Sequence, residues 1–251
     1  MKIYIMSSGR ATKQITWNGL PQEIQKDTKI VVPWDEREAY RNFPVLTDKS
    51  IIRDVTKTRQ FLVETTSGPM CMLDDDLTFA VRRTDNPTKF ATAEADDIEE
   101  MFNDIELNLI TYPHVGVASR EGGNRNIEPY LYNTRAMRVL ACDCGVLNSL
   151  KIRYDRLKLM SDFDVTLQLL RAGRDTVVLN WIVNNQAGSN AAGGCSQYRT
   201  KPMQEADAHL LQSFHPEFVR LSIKTTKQAG MWAERLDVTC AWKKARASHG
   251  A

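Results

Sequence analysis

The chain has 251 residues, enough for one large domain or two small ones, and either would bury a substantial core. With 42% hydrophobic and 25% charged residues it has an ordinary globular composition, which excludes a disordered chain. Its 33 basic and 31 acidic side chains leave a net charge of +2, so no global basic field marks a nucleic-acid binder, although local patches stay open to one.

Residues 2–6, KIYIM, form a short apolar run closed by Ser7, Ser8, Gly9 and Arg10, which reads as a buried strand ending in a glycine-containing loop. That run is too short for a signal peptide, and no later stretch reaches spanning length. The expectation is a soluble, cytoplasmic protein with no membrane contact. A second strand is predicted over 28–34, stopped by Pro33, and a short third over 44–46. Residues 50–65 suit a helix with an imperfect stripe of Ile51, Ile52, Val55, Phe61 and Leu62. Residues 68–73 read as a buried strand leading straight into Asp74, Asp75 and Asp76.

The clearest helix spans 93–112, where Ile98, Met101, Phe102, Ile105 and Leu109 recur at helical spacing and acidic residues crowd the first half. Strands are predicted over 114–119 and 137–147. The latter contains Cys142 and Cys144, which lack a second pair at zinc spacing and read as strand residues. Five cysteines in a chain of this size point to reduced thiols. A helix over 161–175 should stop at Gly173, and a strand follows over 176–184. Residues 186–199 are small, polar and glycine-rich, a loop in which Gly193 and Gly194 would hinge a lid. A helix near 203–214 and a basic tail close the chain. Strands alternating with helices predict an α/β domain with a mostly parallel sheet flanked by helices. Ligands then collect at the carboxyl ends of the strands, so the Ser7–Arg10 loop and the aspartate triplet should share one crevice.

Two carboxylates ~4 Å apart repel by roughly 4 kcal/mol at an effective dielectric near 20, so the triplet needs open water or a cation. If the strand continued through it, Asp74 and Asp76 would face one way and Asp75 the other. Two convergent carboxylates suit Mg2+ or Mn2+ with open positions for a diphosphate; the plain alternative is a solvated turn. At the loop, Gly9 permits close backbone approach and Arg10 can stack on a base or pair with phosphate, while an ordinary strand-to-loop turn explains the same residues. Ser161 and Asp164 have the S-x-x-D spacing of a capping box, with Asp162 in the first turn.

A first strand ending in SSGR, a mid-chain MLDDDLTF and the helix start SDFDVTLQLLRAG together resemble the GT-A-fold glycosyltransferases over roughly residues 2–185. The resemblance implies a single GT-A-like, Rossmann-like domain. Residues 1–185 would be its nucleotide-sugar-binding and catalytic core, and 186–251 its lid loop and C-terminal extension. It implies a D-x-D motif in which Asp74 and Asp76 hold Mn2+ or Mg2+. Ser7, Ser8, Gly9, Arg10, Asp74, Asp75, Gly193 and Gly194 would contact the donor, a UDP-sugar foremost. A general base by the acceptor is matched by Asp162, with Asp164 as the other carboxylate, although serine stands where the family's acidic pair begins. A third metal ligand would come from His215 or His209.

The segments 7–21, 57–63, 72–83 and 133–147 also resemble bacteriophage TET-associated glycosyltransferases, which implies an acceptor hydroxymethyl group on a modified pyrimidine in DNA. Arg82, Arg83, Arg120, Arg125, Lys243, Lys244 and Arg246, with Trp242, offer cations and an aromatic face for such an acceptor. The balanced net charge predicts weak, salt-sensitive DNA binding. Rival readings are transfer to a polysaccharide or protein, a nucleotidyltransferase, for which SSGR is a poor phosphate loop, and a noncatalytic accessory protein. No G-x-G-x-x-G follows the first strand, which disfavours a dinucleotide oxidoreductase.

Overall fold

Strand β1 (Lys2–Met6) sends Ile3 and Ile5 into one apolar cluster and Tyr4 and Met6 into another. Alternation of this kind, apolar both ways, requires a sheet covered on both faces. The computed structural model describes residues 1–186, 199–225 and 234–250. After β1 come α1 (Ile15–Gly19), α2 (Gln22–Lys26), β2 (Thr28–Val31), β3 (Val45–Leu46), α3 (Val55–Thr65) and β4 (Pro69–Asp74). The order β3-β2-β1-β4, parallel throughout, is that of a doubly wound mononucleotide-binding half. The chain continues through β5 (Leu77–Arg82), β6 (Phe90–Thr92), α4 (Ala95–Leu109), β7 (His114–Ser119), β8 (Tyr130–Tyr132), β9 (Val139–Asp143) and α5 (Cys144–Ser149). Then follow α6 (Ser161–Arg171), β10 (Val177–Gln186), α7 (Lys201–Phe214), β11 (Val219–Thr225), β12 (Glu234–Cys240) and α8 (Trp242–Ala247).

Among the described residues the main sheet has ten strands in the order β3-β2-β1-β4-β9-β7-β10-β5-β6, with β8 also on β10. Strands β9, β8 and β5 run against the rest, so the sheet is mixed but mostly parallel in direction, as expected for this α/β class. On one face α4 lays down Ile98, Met101, Phe102, Ile105 and Leu109. Each fully buried side chain of this kind contributes about 1.5–3 kcal/mol as an upper estimate. Reciprocal bonds between Glu94 and Asp97 start that helix. On the other face α3, α5 and α6 supply Leu62, Val63, Leu147, Val165 and Leu169. Helix α6 has a second apolar edge, Leu167 and Leu170, which packs with Ala208 and Leu211 of α7, Val219 of β11 and Ala245 of α8. One helix therefore braces both the sheet and the C-terminal elements. No helix among the described residues is long and apolar enough to cross a membrane.

Three local expectations change. The strand predicted over 137–147 ends at Asp143, whose carboxylate accepts from the Val146 amide at 3.0 Å and starts α5 with Cys144 as its first residue. The helix predicted from residue 50 begins only at Val55, because Asp54 caps it through the Thr56 and Lys57 amides. The S-x-x-D box does not form: Ser161 is already helical, Met160 stands at the cap, and no side chain caps that end. Gly173 does stop α6, at φ +75°. The β11–β12 hairpin was not expected, although Val219, Leu221 and Ile223 alternate with polar residues along β11; Val219 and Leu221 join the cluster beneath α6 and α7, while Ile223 is exposed.

Candidate functional site

Strand β4 ends at Asp74, and Asp75 and Asp76 make the turn that leads into β5. The strand does not run through the triplet, so the period-two pairing of Asp74 with Asp76 is replaced by another. Asp75 and Asp76 share Arg10, whose Nη1 donates to Asp75 Oδ1 and Asp76 Oδ2, both at 2.7 Å. Asp74 stands apart, its Oδ1 accepting from Arg59 Nη2 at 3.2 Å. The triplet's mutual repulsion is therefore offset by guanidinium groups of the chain itself.

Asp75 is buried and takes a hydrogen bond from Ser7 Oγ. Burial pushes its pKa up to about 6; the Ser7 bond and Arg10 pull it down, and Asp76 adds to the rise. Asp74 is 28% exposed, yet the protein around it is the first cause of its raised pKa. Arg59 and Arg138 oppose that rise, and Asp76 and Asp162 add to it. Both oxygens of Asp76 are taken, Oδ1 by the Gln186 amide at 2.6 Å and Oδ2 by Arg10.

The loop after β1 lies against this turn, so the two strand ends meet as expected. Ser7 Oγ also meets Tyr40 Oη at 2.9 Å and accepts from Gln14 Nε2 at 2.8 Å. Glu36 grips the loop, accepting from Ser8 Oγ at 2.7 Å and from the Gly9 amide at 2.6 Å. Gly9 sits at φ +69°, where a Cβ would be strained. Ser7 is thus a buried brace of Asp75, and Ser8 is held by Glu36. Gly193 and Gly194, the proposed lid hinges, lie outside the described residues, as does Cys195.

Asp162, in the first turn of α6, is near enough to Asp74 to raise its pKa. Arg135 grips Asp162 Oδ2 with Nε and Nη2, each at 2.6 Å, and lies 3.8 Å over the Phe163 ring. Phe163 stacks in turn on Trp242. Asp164 is different. It is fully buried, with Oδ1 on His215 Nε2 at 2.8 Å and Oδ2 accepting from Gln168 at 2.9 Å and from Arg156 at 3.3 Å. A carboxylate sealed in this way cannot reach an acceptor, which corrects its assignment as a catalytic residue. His215 is corrected by the same cluster. Arg171, which can only donate, reaches Nδ1 at 3.1 Å, so Nδ1 carries the lone pair and Nε2–H donates to Asp164. No lone pair remains for a metal ion. His209 is exposed on α7.

A divalent cation was expected at Asp74 and Asp76. Among the described residues no group of three His, Cys, Asp or Glu converges to hold one. Asp74 Oδ2 has no protein donor there, and a cation that arrives with phosphate oxygens needs only one or two carboxylates. Asp74 would hold such an ion through Oδ2, and Asp76 would join it only by giving up Gln186 or Arg10.

Several expected phosphate contacts are occupied internally. Arg82 donates to the carbonyls of Pro87, Gly123, Asn126 and Asn180, and Arg83 pairs with Asp85. Arg246 pairs with Asp175, and Lys244 reaches the Glu217 carbonyl. Arg120, Arg125 and Lys243 are exposed. Reading the sequence alone missed Arg59, Arg135, Arg138 and Glu36. For Arg59 a signal existed: it shares the inward stripe of α3 with Leu62 and Val63, where a charge is out of place.

Residues 1–194 match the family model described as TET-Associated Glycosyltransferase. No curated protein matches the chain. The chain is similar to the crystal structure of S. aureus TarS, at 12% identity and a TM-score of 0.45, over 83% of this chain and 39% of that one. It is also similar to a crystal structure of GalNAc-T7 with UDP, GalNAc and Mn2+, at 9% identity and a TM-score of 0.49, over 84% of this chain and 48% of that one. The chain thus spans less than half the length of either solved structure.

Proposed function

The chain belongs to the TET-associated glycosyltransferases, and from that membership we propose that it transfers a sugar from a nucleotide-sugar, with UDP as the expected nucleotide, to the hydroxymethyl oxygen of a modified pyrimidine in DNA. What supports the reading is one juxtaposition: a strand end delivers Asp74 and a helix start delivers Asp162, near enough that the Asp162 charge helps to raise the Asp74 pKa.

In the proposed reaction the acceptor hydroxyl oxygen bonds to the sugar's anomeric carbon as that carbon's bond to the diphosphate oxygen breaks. The hydroxyl proton passes to Asp162, and the nucleoside diphosphate leaves with the bonding electron pair. A divalent cation, when bound, would neutralise charge on that leaving group. Arg135 fixes Asp162 Oδ2 and leaves Oδ1 for the acceptor. Phe163 is taken up by Arg135 and Trp242, so of this aromatic pair Trp242 is the one left to meet a base drawn out of the duplex.

The test is a panel of nucleotide-sugars with Mn2+ and duplex DNA containing 5-hydroxymethylpyrimidine, read by mass spectrometry of the released nucleosides. The expected result is a hexose mass on the modified base. Donor consumption with unmodified DNA, and label on an added glycan or protein, would replace the acceptor and keep the transfer.

A further inference from the structure

Arg59 is the residue whose surroundings are incomplete. It is 8% exposed on the inward stripe of α3, and among the described residues it makes one hydrogen bond, from Nη2 to Asp74. Its Nε–H is buried and has no partner among the described residues. A buried guanidinium N–H left unpaired is costly.

Arg138 is a half-buried second guanidinium beside Asp74. It is held at φ +68°, a region that a residue with a Cβ seldom adopts, while its carbonyl accepts the Asp74 amide at 3.0 Å. Among the described residues its side chain is engaged through Nη1 alone, with Ser119 Oγ at 3.2 Å and Asn184 Oδ1 at 3.5 Å. Both guanidinium groups lie near enough to Asp74 to act on its charge.

The charge count points the same way. Asp74, Asp75, Asp76 and Asp162 are interleaved with Arg10, Arg59, Arg135 and Arg138, so formal charges cancel when all are ionised. Such a crevice has no surplus negative field for a bare dication. It does offer an anion two planar forks with unused N–H groups, the geometry that suits phosphate oxygens.

We propose that Arg59 and Arg138 form the cradle for the donor's diphosphate, so that the protein binds this group through its own guanidinium groups without requiring a divalent cation. The proposal rests on the sugar-transfer reading above and names the residues that hold the leaving group.

The test is calorimetric titration of the full chain with inorganic pyrophosphate and with UDP, first in EDTA and then in Mn2+, at fixed salt. Wild type is expected to bind both in EDTA. Arg138→Met and Arg59→Met should each weaken pyrophosphate by about tenfold or more, and Arg59→Lys should recover part of that loss. Thermal melts check the fold; if Arg59→Met does not fold, Arg138→Met and Arg59→Lys decide. Binding that appears only with Mn2+, or that is undiminished in folded variants, overturns the cradle and leaves sugar transfer standing. Wild type that binds neither probe in either buffer overturns both.

Discussion

Two clusters of buried charge meet the first turn of α6, and they are built to different standards. Around Asp164, both carboxylate oxygens and both ring nitrogens of His215 have partners. Two residues earlier in the chain, Asp162 belongs to the group around Asp74, where Arg59 keeps a buried N–H with no partner among the described residues. A cluster whose donors and acceptors all match is complete as folded, and its business is to hold α6 against α7. A cluster with donors left over is complete only with a ligand. Two positions along a helix turn Asp162 and Asp164 to opposite sides, and the hydrogen bonds around each distinguish what those sides do.

The most direct way to break this contrast is to change each carboxylate and ask which property moves. Asp162→Asn keeps the shape and removes the proton acceptor, so turnover should fall by about 10²–10⁴-fold while UDP affinity and the melting temperature stay near wild type. Unaltered turnover would remove Asp162 from the chemistry. Asp164→Ala should do the reverse. It leaves the buried His215, and Arg156 at the partly exposed edge of the cluster, without their carboxylate, at a cost of about 3 kcal/mol in chemical denaturation. The protein that remains folded at low temperature should bind UDP as wild type does. A transfer defect in an Asp164 variant that melts like wild type would return that residue to the active site.

The same contrast marks what could be read in the sequence. Helix α4 was legible because its apolar residues recur at 3.6-residue spacing and one face of the sheet wants them all. The crevice was legible because β1 and β4 are short apolar runs that end abruptly in polar loops. Which carboxylate faces which guanidinium was not legible, because it depends on residues far apart in the chain. Arg10 meets Asp75 across 65 positions, and Asp164 meets His215 across 51. Spacing put both carboxylates in the first turn, with Asp162 the better match for the base, and only tertiary packing sealed Asp164 against His215. The switch from strand to helix at Cys144 was hidden for a related reason. An apolar run such as VLACDCGVL suits either state, and the Asp143 cap decided it.

The smallest expected effect concerns Asp75, which belongs to the crevice but is buried like Asp164. Its pKa, about 6 in the folded chain against 3.8 for an unhindered carboxyl, means the folded state binds this proton more tightly than the unfolded state does. The resulting stabilisation is fully present below about pH 4 and is lost as pH rises through about 6. The span is roughly two pH units, so at most about 3 kcal/mol disappears across that window. Asp75→Asn has no proton to lose there. Its amide can still meet Ser7, and its carbonyl oxygen can accept from Arg10. Melting curves of both proteins from pH 4 to 7.5 should therefore diverge, wild type losing ground to the variant between pH 4 and 6 and tracking it above 7. Other carboxyls titrate alike in both and cancel in the difference. A difference that stays flat, or that favours wild type as pH rises, would show that Arg10 keeps Asp75 ionised throughout, and the crevice would then be as well matched there as the cluster around Asp164.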